Sequence, residues 1–69
     1  MDILFSERIK ELRKEANLKQ NDLAKALDTT QRKISYWEIG KTEPDLTSLW
    51  KICDYFNVSV DYLIGRTDY

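Results

Sequence analysis

Apolar positions recur along the chain at intervals of three and four. Phe5, Ile9, Leu12 and Ala16 lie on one stripe, with Glu7, Arg8, Lys10, Glu11 and Lys14 on the other side, the pattern of a helix with one face in water. Ser6 suits its N-cap and Asn17 its end, which predicts a helix over about 6–16. Leu23, Ala24 and Leu27, after Leu18, predict a shorter helix over 20–27, with Asp22 in the first turn where the helix dipole favours an anion. Asp28, Thr29 and Thr30 break the period, and Thr30 caps a third helix over 30–38. The apolar side of this helix is Ile34 and Trp37, its remaining surface is Gln31, Arg32, Ser35 and Tyr36, and Gly40 stops it. Beyond Pro44, Asp45 caps a helix over 45–56 carrying Leu46, Leu49, Ile52, Cys53 and Phe56, and Ser59 caps a last one over 60–64 that Gly65 stops. Strand-like alternation never persists, so the expected fold is all-α, a compact bundle of five short helices.

Composition narrows the function. A chain of 69 residues with 42% apolar content supports one compact domain, 1–69, and two Gly and one Pro leave little to disorder it. No apolar run approaches the roughly 18 residues of a membrane helix, and the N-terminus lacks a signal-peptide profile, so a soluble, cytoplasmic protein with no membrane role is expected. One cysteine excludes an internal disulfide, and without histidine the usual metal clusters cannot form. Cys53, between Ile52 and Phe56, reads as a small buried hydrophobe. With no glycine-rich phosphate loop either, no metal, no cofactor and no catalytic activity are expected.

The net charge of −1 is unpromising for a nucleic-acid binder until it is divided along the chain. Residues 1–16 carry four basic and four acidic groups, residues 17–42 five and three, and residues 43–69 two and five, a balance of 0, +2 and −3. Only the middle segment can offer a positive face, and it holds two short helices joined by a tight turn. That unit is the one that places a recognition helix in the DNA major groove.

The residues of this segment, Leu18-Lys19-Gln20-Asn21-Asp22-Leu23-Ala24 followed by Thr29-Thr30-Gln31-Arg32-Lys33-Ile34-Ser35-Tyr36-Trp37-Glu38, resemble the Xre, lambda-repressor and Cro helix-turn-helix family. The resemblance continues through Gly40-Lys41, Pro44 and Phe56-Asn57-Val58-Ser59-Val60-Asp61-Tyr62-Leu63, covering about residues 5 to 65. It implies a sequence-specific regulator of transcription, a repressor by expectation, with the third helix in the major groove of double-stranded DNA. Gln31 and Arg32 would meet base edges first, a glutamine amide matching adenine and an arginine guanine, with Ser35 and Tyr36 one turn later. Phosphate contacts are implied at Lys19, Gln20, Thr30, Lys33, Lys41 and Thr42. Arg13 and Glu38 stand where the family often pairs the first helix with the end of the recognition helix.

Two positions depart from the family. Lys19 stands where a small hydroxyl residue is common, weakening the cap of the second helix, and Ile39 where Asn is common. Trp37 shares its face with Ile34 and reads as core, whereas the role of Trp50 stays open between packing and exposure. The family resemblance and the limited surface of one recognition helix both point to a homodimer on a near-palindromic operator, with Val60, Tyr62, Ile64 and Tyr69 as its candidate contacts and Leu63 closing the core. The competing function is a protein-binding helical module, such as an antitoxin or regulator subunit, which the low net charge slightly favours.

Overall fold

The computed structural model describes residues 3–68 and contains, among them, five α-helices: α1 (Phe5–Glu15), α2 (Gln20–Ala26), α3 (Gln31–Glu38), α4 (Leu46–Phe56) and α5 (Val60–Ile64). Three starts are capped by the side chains that the sequence nominates. Thr30 accepts the backbone N–H of Lys33 at 3.2 Å, Asp45 that of Ser48 at 2.8 Å, and Ser59 that of Tyr62 at 3.0 Å. Lys19 cannot accept such a bond, but the loss is offset from inside α2, where the Asp22 carboxylate reaches back to the Lys19 N–H at 3.0 Å.

All five helices stop in the same way. A residue with positive φ follows each one, namely Asn17, Asp28, Gly40, Asn57 and Gly65. The next N–H then closes back onto the last turn: Leu18 to Arg13, Thr29 to Ala24, Lys41 to Tyr36, Val58 to Cys53 and Arg66 to Asp61, each at 2.8 to 3.1 Å. These bonds satisfy carbonyls that the helix itself leaves open, and they turn the chain sharply enough to pack short helices around one centre.

The expected Ser6 cap is corrected. α1 begins one residue earlier, with Leu4 as its N-cap and no side-chain bond to the turn. Tertiary packing decides this start: Phe5 is buried with its ring edge-on to Trp37 at 6.1 Å, and the Leu4 N–H donates to the Ile64 carbonyl at 2.9 Å. The core comprises Phe5, Ile9, Leu23, Ala24, Leu27, Ile34, Trp37, Ile52 and Leu63, with Leu12, Leu18, Leu49 and Phe56 against it. Cys53 is a correction of degree, since it is half-buried at the margin of this core instead of sealed inside it. Burial still pushes its thiol up, which keeps it protonated and unreactive.

The closure between α1 and α5 puts a hard constraint on Gly65. Its φ is +93°, and a Cβ there would meet the Leu4 side chain at 2.7 Å. Gly65→Ala is therefore expected to cost about 1–3 kcal/mol through backbone strain and crowding, read as a lowered midpoint in thermal unfolding. An unchanged midpoint would mean that Leu4 yields freely.

Candidate nucleic-acid interface

α3 packs on both α1 and α2, so that its C-terminal end lies against α1 and its first turn lies beside the start of α2. Glu38, the last residue of α3, is buried, and its side chain is 3% exposed. A carboxylate there must be paired or lose its charge. Arg13 supplies a two-pronged partner, with Nε donating to Glu38 Oε2 at 2.6 Å and Nη2 to Oε1 at 3.0 Å, while Nη1 donates to the Leu18 carbonyl at 2.9 Å. One guanidinium thus joins the end of α1, the turn after it and the end of the third helix. Burial alone would raise the Glu38 acid. The bonds from Arg13 and Gln20, with the charges of Arg13 and Lys10, outweigh it and hold the carboxyl below its ordinary value.

The pair orders two further side chains. Gln20 Nε2 donates to Glu38 Oε1 at 3.1 Å, and Gln31 Nε2 donates to Gln20 Oε1 at 2.6 Å. An ionised carboxylate only accepts, so the Gln20 amide must turn its NH2 toward Glu38 and its oxygen toward Gln31. Gln31 must then offer its own NH2 to that oxygen. What remains outward on Gln31 is one N–H and the carbonyl oxygen, the donor and acceptor that a bidentate contact with adenine requires. Sequence reasoning placed Gln20 and Gln31 separately, as a phosphate and a base contact. The bond between them was discoverable only from the packing of α2 on α3.

The other nominated residues fall around this axis. Arg32, Lys33, Lys19, Thr30, Lys41 and Thr42 are exposed, and Ser35 and Tyr36 are half-buried on the outer side of α3. Lys41 does not simply extend into solvent, because its ammonium sits 4.5 Å from the centre of the Tyr36 ring. Arg32, Lys33, Tyr36 and Thr42 line an open depression of about 450 Å³ together with Glu43, Asp45 and Ser48. The acidic lining has no signal in the sequence reading, which nominates Asp45 only as a cap, although Glu43 and Asp45 follow Lys41 and Thr42 closely.

Outside this face, Trp37 is buried in the core and Trp50 is 67% exposed on α4. Of the candidate dimer contacts, Val60 is exposed and Ile64 half-buried, the latter beside Ile3, Phe5, Pro44 and Leu49 in a mostly apolar depression that Glu43 also lines. Tyr62 is half-buried with the Arg8 guanidinium 4.3 Å from its ring centre, and Arg8 also donates to the Tyr62 carbonyl at 2.9 Å. Tyr69 lies outside the described residues. Among the described residues, no group of three or more potential ligands could hold a metal ion, and no helix is long and apolar enough to cross a membrane.

Comparison with known proteins extends the picture. A family model described as helix-turn-helix matches residues 9–63. The chain is 40% identical over 61 residues to the HTH-type transcriptional activator BcrR of Enterococcus faecalis, covering 88% of this chain and 30% of that protein. It is 38% identical over 64 residues to YonR, an uncharacterized SPbeta prophage-derived HTH-type transcriptional regulator of Bacillus subtilis, covering 93% of this chain and 59% of that one. It thus spans well under two thirds of either relative. Among solved structures, the P22 c2 repressor in complex with a synthetic operator superposes with a TM-score of 0.85 and 32% identity, over 91% of this chain and 96% of that chain.

Acidification tests the central pair. Glu38 has a folded-state pKa below its unfolded one, so its stabilisation is complete above the ordinary value of 4.5 and is lost as pH falls through the depressed value. Asp45 is shifted in the same direction by its bonds to Ser48. The unfolding midpoint is expected to drop below about pH 4.5, and Glu38→Gln should flatten that drop while lowering the midpoint at neutral pH. An equally steep acid limb in Glu38→Gln would assign the acid sensitivity elsewhere.

Proposed function

The chain belongs to the helix-turn-helix family of Xre and lambda-repressor type, and from that premise we propose that it binds double-stranded DNA sequence-specifically, with α3 in the major groove. The observation that carries this reading is the outer side of α3. Gln31 is held with one donor and one acceptor facing outward, Arg32 beside it is exposed, and Lys33, Lys41 and Thr42 flank them. Gln31, Arg32, Ser35 and Tyr36 read bases, while Lys19, Gln20, Thr30, Lys33, Lys41 and Thr42 hold the phosphate backbone. The similarity to a repressor whose structure includes its operator supports the same reading. Repression by occupying promoter DNA is the mode of regulation that DNA binding alone supplies, and it needs no catalytic chemistry or cofactor.

The binding unit in this proposal is a homodimer on a near-palindromic operator, with half-sites about 34 Å apart. The described residues span 29 × 23 × 21 Å, a size that lets two copies sit side by side on half-sites that far apart. Val60 and Ile64 are the α5 side chains available for the contact. Tyr62 is already engaged by Arg8 and contributes only its rim. A protein-binding role has one observation in its favour, the exposure of Leu46 and Trp50, at 83% and 67%, on α4.

Selection from a random DNA pool should enrich a two-fold symmetric sequence. On it, Arg32→Ala should lose about 1–3 kcal/mol of discrimination at one position per half-site, and Lys41→Ala should weaken all sequences alike and reduce the salt slope by about one. Equal losses on every operator variant for Arg32→Ala would remove it from base reading. Sedimentation of the complex should give two copies per operator, and a strictly one-to-one complex would refute the dimer.

A further inference from the structure

We propose that Glu43 limits how tightly this protein holds DNA of any sequence, acting as a repulsive charge on the rim of the reading groove. The inference rests on the DNA-binding reading above. The depression beside α3 is lined by charges of both signs, Arg32 and Lys33 from α3 and Glu43 and Asp45 from the segment that leads into α4. Asp45 has a structural task, because its carboxylate caps α4 through Ser48 and feels the charge of Lys33. Glu43 has none of this kind. It is exposed, and among the described residues its side chain forms no ion pair and accepts no hydrogen bond.

Its position gives the charge an effect. Glu43 follows Thr42 directly and lines the same depression as Arg32, Lys33 and Thr42, so its charge acts on a phosphate strand resting on those anchors at a distance on the order of 10 Å. In water, a unit charge at that distance changes a binding constant about two-fold per phosphate. The chain has little positive charge to spare, with a net of −1 and a surplus of only two basic groups in residues 17–42. Lys33 must also share its field with Asp45. The anchors alone then grip a duplex weakly, and long residence requires the base contacts of α3.

The test uses the whole chain and a random-sequence duplex of about 12 base pairs, little more than one helical turn, so that pairing of copies does not enter. Fluorescence anisotropy is measured for wild type, Glu43→Gln, Glu43→Lys and Lys41→Ala across a salt series. Glu43→Gln should bind about two- to five-fold tighter in dilute buffer, Glu43→Lys tighter still, and both gains should shrink as salt screens them. Lys41→Ala should bind more weakly, and the Glu43 variants should unfold thermally at the wild-type midpoint. Binding by Glu43→Gln that is unchanged or weaker, while Lys41→Ala loses affinity, overturns this inference and leaves the DNA-binding reading standing. A wild-type chain that binds no duplex in dilute buffer overturns both.

Discussion

The carboxylate at the end of α3 sits where water barely reaches, and two hydrogen bonds from Arg13, helped by one from Gln20, keep it charged. Much of the molecule follows from that requirement. The guanidinium also holds the Leu18 carbonyl, so the turn between the first two helices is tied to the end of the third. Trp37, packed against Phe5 beside the pair, closes the apolar side of the same junction. Removing one partner would leave a buried charge alone, and for that reason such pairs are more expensive to break than to replace as a unit.

The same electrostatics passes outward through two neutral amides. Charge on Glu38 orients Gln20, and Gln20 orients Gln31. Aliphatic residues in their places would make neither bond and transmit nothing. The cost of fixing a long polar side chain before a ligand arrives is met inside the protein, and less ordering is left for the moment of contact.

Helix ends were the most legible part of the chain. Asn17, Asp28, Gly40, Asn57 and Gly65 are the residue types that tolerate positive φ, and each falls where an apolar stripe stops. Thr30, Asp45 and Ser59 announce their caps just as locally. The start of α1 was misplaced because Ser6 competes with a tertiary demand, the burial of Phe5 and the Leu4 bond to Ile64, that no local pattern encodes. On α5 the sequence already assigns Leu63 to the core, which it seals, but the seat of Tyr62 under Arg8 depends on α1 packing against α5 and has no local signal. At the interface, which side chains are polar was readable on the line of sequence. Which of them bond to one another depends on α2 meeting α3, and the meeting of basic and acidic residues beside α3 depends on the α3 to α4 turn.

The unequal internal ties of the outward α3 side chains bear on how such a protein diversifies. Among the described residues, Arg32 and Ser35 make no side-chain bond within the protein, so under the proposed reading of bases exchanging either would alter what is recognised without breaking an internal bond. Gln31 is different, since replacing it leaves the Gln20 oxygen without its donor and loosens the far end of a chain of bonds that begins at Arg13. On that reading, new preferences come at little structural cost at two positions, whereas the third is held in place by the architecture around it.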